Sequence, residues 1–120
     1  MTKALVIDDE KMILDMIKMV LVKLNFDVET ANCGASGIKK FDKENFDLVI
    51  TDICMPIVDG KAVIRHIRRS ENNHTPVIGI SGTPWKLKEL DFDEVLAKPF
   101  PLKTLMDTVT SLTSHHQYKN

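Results

Sequence analysis

The sequence predicts an α/β fold in which a five-stranded parallel sheet carries helices on both faces. Three observations predict it. Short apolar, partly β-branched runs alternate with stretches of helical periodicity from one end of the chain to the other. The runs Ala4-Leu5-Val6-Ile7, Leu48-Val49-Ile50 and Val77-Ile78-Gly79-Ile80 are continuously apolar, as strands covered on both sides must be. The 120 residues, 43% hydrophobic and 28% charged, supply one domain with a proper core and leave no room for a second.

Ala4 to Ile7 form the first strand, and Asp8-Asp9-Glu10 lead into a helix from Lys11 to Leu24. At about 100° per residue Ile13, Ile17, Val20 and Leu24 share a face that should enter the core. Met12, Met16 and Met19 make a flanking stripe, which fits either the rim of the core or an adaptable docking surface. Val28 to Ala31 form the second strand, and Cys33-Gly34 open a helix from Ala35 to Lys43. The third strand ends abruptly on Asp52; the turn Asp59-Gly60 then leads to a helix from Lys61 to about Arg69. The fourth strand, Val77 to Ile80, runs into Ser81-Gly82-Thr83-Pro84. Thr83 as N-cap and Pro84 at the first helical position open a short fourth helix, Trp85 to Leu90. Val95-Leu96-Ala97 form the last strand, and a fifth helix from Leu102 to about Leu112 follows Lys98-Pro99-Phe100-Pro101. The domain is expected to span residues 1–114, with 115–120 a frayed tail.

Sixteen basic and 17 acidic residues give a formal charge of −1, so no basic field draws the chain to nucleic acid or to an anionic membrane. Arg65, His66, Arg68 and Arg69 are read as solvating the end of their helix, and His74 as facing solvent. Cys33 and Cys54 lack metal-ligand spacing, and no signal peptide or long apolar span is present. A cytoplasmic protein without membrane insertion is expected.

In an open parallel sheet, ligands bind beyond the carboxyl ends of the strands. That rule places Asp8, Asp9, Asp52, Ser81 and Lys98 along one edge. Like charges ~4 Å apart repel by roughly 4 kcal/mol at an effective dielectric near 20, so three carboxylates there need positive charge. Lys98 supplies some, and a hard divalent cation with oxygen ligands would supply the rest; Mg²⁺, which keeps several waters, suits a shallow site. Metal, lysine and hydroxyl together make a clamp for a phosphoryl group, and a carboxylate within it can be the nucleophile.

Asp8-Asp9, Asp52-x-x-Met55-Pro56-x-x-Asp59-Gly60, Ser81-Gly82 and Lys98-Pro99-Phe100, in this order, resemble the receiver domain of two-component response regulators over essentially the whole chain. The resemblance implies a flavodoxin-like sheet of order 2-1-3-4-5. It implies that Asp52 accepts a phosphoryl group from a sensor histidine kinase or a histidine phosphotransfer protein. Asp9 and Asp52 would then ligate Mg²⁺ directly, Asp8 through water, and the backbone carbonyl of Cys54 would complete the protein ligands. Lys98 would pair with the phosphoryl oxygens, the Ser81 hydroxyl would swing in to them, and a cis bond would precede Pro99. In the family, the methionine-bearing side of the first helix meets the histidine-containing helix of the donor.

Two departures stand out. The interval from Ser81 to Lys98 is shorter than most receivers have, which truncates the fourth helix. Val95 also stands where the family carries its switch aromatic, so the usual coupling of hydroxyl to aromatic does not transfer, nor do the partners of that face. Three classes of function remain open. A signalling receiver is not an enzyme beyond its own phosphorylation and dephosphorylation; its downstream target is unknown, and it could stand alone, serve a relay or belong to a longer regulator. A phosphatase forming an aspartyl phosphate would need a second Asp two residues beyond the nucleophile, where Cys54 stands. A binding module would keep the fold without the switch.

Overall fold

The computed structural model describes residues 2–84 and 90–117, the last four of them by backbone alone. Five strands, β1 (Lys3–Ile7), β2 (Asp27–Ala31), β3 (Leu48–Asp52), β4 (Val77–Ser81) and β5 (Glu94–Ala97), form one sheet in the order β2-β1-β3-β4-β5. Every neighbouring pair is parallel, with Ala4 opposite both Val28 and Leu48, and Ile50 opposite Ile78. This is the doubly wound arrangement expected. The connections are α1 (Lys11–Lys23), α2 (Gly34–Lys43) and α3 (Gly60–Arg69), and α4 (Leu102–Gln117) closes the chain. Residues 85–89 of the short helix expected over Trp85–Leu90 lie outside the described residues, as do residues 118–120 of the tail expected over 115–120.

Alternate side chains of each strand point to opposite faces, and the two faces make two cores. Ala4, Val6, Ile50, Ile78 and Ile80 meet α1 and α4 through Leu14, Ile17, Leu21, Leu105 and Val109. Leu5, Ile7, Val49 and Val77 meet α2 and α3 through Phe41, Val63, Ile64 and Ile67. Among the described residues no helix is long and apolar enough to cross a membrane.

Several expectations need correction. The buried face of α1 is Leu14, Ile17, Val20 and Leu21, while Ile13 and Leu24 only flank it, so the stripe is rotated toward Leu14 and Leu21. The methionines divide: Met12 is 86% exposed and Met19 48%, whereas Met16 packs against the core. His66 does not face solvent freely; its ring meets Phe41 edge-on and its Nε2 lies 2.7 Å from Asp42 Oδ1. Arg68 is not a solvating charge. It donates to the carbonyls of Asp91, Asn73 and Thr75 at 3.0, 2.9 and 2.7 Å and pairs with Asp93 at 2.7 Å, tying α3 to the amino ends of β4 and β5. The final helix runs past Leu112 to Gln117.

Candidate functional site

The chain leaves β1 toward β2 on one side and returns to β3 on the other, which opens a crevice at the carboxyl ends of β1 and β3. Asp8 follows β1 directly, and Asp52 is the last residue of β3. Both are buried, at 0% and 3% exposure, while Asp9 is exposed. One oxygen from each of Asp8, Asp9 and Asp52 lies within 4.8 Å of the others.

Lys98, just beyond β5, reaches into this group. Its Nζ lies 3.1 Å from Asp52 Oδ1 and 3.6 Å from Glu10 Oε1. Its peptide bond to Pro99 is cis, as the resemblance to receiver domains implies. Its backbone N–H donates to the Ser81 carbonyl at 2.9 Å, so the strand ends carrying Ser81 and Lys98 are joined directly. Ser81 is buried at the end of β4, and its Oγ accepts from the Thr83 N–H at 3.0 Å. Cys54 sits two residues beyond Asp52 with an exposed side chain.

Burial dominates the electrostatics of the cluster. It pushes the Asp8 carboxyl from 3.8 up to about 6; the Glu10 N–H, 2.8 Å from Oδ1, opposes the shift, and the Asp52 charge adds to it. Asp52 is also raised by burial, even though Lys98 pulls it back. Burial alone would lower Lys98, but the hydrogen bond and charge of Asp52 more than offset it, so the ammonium is held above its usual 10.5. One lysine therefore does not neutralise the group.

The donor set fits a hard divalent ion. Asp8 Oδ2 is buried and has no hydrogen-bond partner, the only such side-chain atom among the described residues, and it belongs to a carboxylate of the cluster. An uncompensated buried carboxylate oxygen is costly, and a cation shared with Asp9 and Asp52 would satisfy it.

Sequence reasoning gave Glu10 no role beyond leading into the first helix. It occupies the N-cap of α1, but its side chain caps nothing and turns toward Lys98 instead. The signal was its place as the third acid of Asp8-Asp9-Glu10. Asp59 and Gly60 prove more specific than a turn. The Asp59 side chain accepts from the Ala62 N–H at 3.0 Å and caps α3. A Cβ on Gly60 would stand 2.6 Å from the Asp52 carbonyl oxygen, so only glycine lets α3 start this close to the site.

A profile of the response regulator receiver domain matches residues 4–110. The chain belongs to this family. Response regulator ArlR of Staphylococcus saprophyticus is 31% identical over 125 aligned positions, covering all of this chain and 56% of the relative. The chain thus spans about half the length of the curated relatives it matches. Among solved structures, the receiver resembles the chemotaxis response regulator CheY4 of Vibrio cholerae, at 29% identity and TM-score 0.86, over 93% of this chain and 98% of that one. It also resembles response regulator TrrA of Thermotoga maritima, solved in complex with Mg(2+)-BeF, at 32% identity and TM-score 0.84, over 93% and 99% of the two chains. The receiver of a two-component system is therefore the frame in which the cluster is to be understood.

Proposed function

We propose that this receiver accepts a phosphoryl group on Asp52 from a phosphohistidine and signals through changed protein contacts. The observation that carries the reading is the Lys98 ammonium 3.1 Å from a buried aspartate that lies within 4.8 Å of two further carboxylates. Such a group has little use as structure, since burying like charges together destabilises the fold.

The residues divide the work. Asp8, Asp9 and Asp52, with the Cys54 carbonyl, would hold Mg²⁺, whose chemistry is to neutralise charge on the transferring phosphoryl oxygens. An oxygen of Asp52 attacks phosphorus as the bond from phosphorus to the imidazole nitrogen breaks, leaving an acyl phosphate on Asp52. Lys98 then trades a carboxylate oxygen for a phosphoryl oxygen. The Ser81 hydroxyl, freed from the Thr83 N–H, donates to the same group. The donor is a sensor kinase or a histidine phosphotransfer protein, and the exposed Met12 beside the site is where it would dock. Val95 cannot swing a ring, so the change at Ser81 passes through its own loop instead.

The test is to incubate the protein with Mg²⁺ and acetyl phosphate and follow its intact mass beside Asp52→Asn. A Mg²⁺-dependent phosphoryl adduct lost in the variant is expected. No adduct, or an undiminished one in the variant, would refute the assignment and favour a binding module that keeps only the fold.

A further inference from the structure

We infer that Thr51 is a positioning residue of this site, whose hydroxyl fixes the Asp52 peptide and so aims the loop that carries Cys54. The inference rests on the reading that Asp8, Asp9, Asp52 and the Cys54 carbonyl hold Mg²⁺.

Thr51 is fully buried in the middle strand of the sheet. Its partners across the strands are Ile7 and Gly79, and Val49 lies on its side of β3. Valine has the same shape and would suit these neighbours better, because a buried hydroxyl is costly unless its hydrogen bond is made. The bond is made, and to the residue that matters: Oγ1 donates to the carbonyl of Asp52 at 2.9 Å.

The groups that follow are tied as well. The Ile53 N–H donates to the Ile80 carbonyl at 3.0 Å, and the Ile53 carbonyl accepts from the Gly60 N–H at 2.9 Å. Gly60 closes the remaining side against the Asp52 carbonyl. Among these ties only the hydroxyl of Thr51 comes from a side chain, so it alone can be removed by substitution without touching the backbone. Cys54 is the next residue along. Contacts one step outside a metal site orient its ligands. Without the Thr51 hydroxyl the Asp52 carbonyl loses its donor, and the peptide is held only through the Ile53 N–H, about which it can tilt and shift the Asp52 side chain and the Cys54 carbonyl. A buried threonine can also bond a nearby carbonyl for its own satisfaction alone. That bland role would alter stability and leave metal affinity untouched, which separates the two.

The experiment compares Thr51→Val, Thr51→Ala and Thr51→Ser with the wild-type chain. The readout is the Mg²⁺ dissociation constant, taken from the rise in thermal midpoint during a MgCl₂ titration with no phosphodonor present. Thr51→Val should weaken Mg²⁺ ~10-fold, and Thr51→Ser, which keeps the hydroxyl, should stay within ~2-fold of wild type. Thr51→Ala gives the same contrast with serine should valine block folding. A valine or alanine variant that binds as tightly as wild type overturns the inference, and so does a serine variant that weakens as much as they do. A wild-type midpoint unmoved by Mg²⁺ overturns instead the metal reading itself, and this inference falls with it.

Discussion

Replacing Asp8 with asparagine should stabilise the metal-free protein near neutral pH, although it removes a group from the centre of the site. In the fold the Asp8 carboxyl sits at about 6 against an ordinary 3.8. Each unit is worth 1.36 kcal/mol, so keeping Asp8 ionised at pH 7 destabilises the fold by roughly 3 kcal/mol. The sign follows from proton binding. Between 3.8 and 6 the folded chain holds more protons at Asp8 than the unfolded one, so stability falls as pH rises through that window, and the full penalty stands above about 6. Asparagine escapes it, but its amide must still be desolvated, which leaves a gain of roughly 1–2 kcal/mol. For a domain of this size that is about 5 °C in Tm. Urea unfolding in EDTA at pH 7.5 and pH 5.0 measures it; the ionisation penalty falls by about 1.4 kcal/mol at the lower pH while the amide cost does not change, so the advantage should nearly vanish there. Excess Mg²⁺ should reverse the order, since an ion at ~100 times its Kd adds about 2.7 kcal/mol to the chain that binds it. A variant less stable than wild type at pH 7.5 without metal, or equally favoured at both pH values, would refute the reasoning.

Gly60→Ala should lower stability by about 1–3 kcal/mol in urea unfolding, because its Cβ would meet backbone atoms of Asp52 and Ile53, at 2.6 and 2.7 Å, that cannot rotate away. Arg68→Ala should cost about 2–3 kcal/mol by the same measure, and Arg68→Lys should recover little, since a lysine cannot reach three carbonyls and Asp93 at once. Met12→Glu should leave stability within about 0.5 kcal/mol of wild type, whereas Met16→Glu, at a residue packed on the core, should not. If α1 receives the donor, Met12→Glu slows transfer from a phosphorylated histidine protein and not from acetyl phosphate; equal slowing of both would sink the docking idea.

The strands were legible because both of their faces are covered, and continuous runs such as Ala4 to Ile7 and Leu48 to Ile50 have few other uses. The site was legible for the same reason in reverse: Asp8 and Asp52 interrupt those runs where an apolar residue would pack. What stayed hidden depends on where a side chain turns. Ile13 and Leu14 are equally apolar, and only the packing of α1 between the sheet and α4 decides that Leu14 is the more buried. Arg68 reads like Arg65 and Arg69 in sequence. Its use comes from carbonyls of Asn73, Thr75 and Asp91, which no helical periodicity announces. The use of Glu10 stayed hidden because its approach to Lys98 spans the length of the chain, which no local pattern announces.

The Arg68 cluster lies at the amino end of the strands, the acidic cluster at the carboxyl end. At the first, each carbonyl that Arg68 reaches has its donor; at the second, a buried Asp8 oxygen has none. The sheet is thus anchored at one end and under load at the other. Under the phosphorylation proposed for Asp52, the expected movement is in the loops after β3 and β4, with the strand register held behind them, as a spring moves only beyond its clamp.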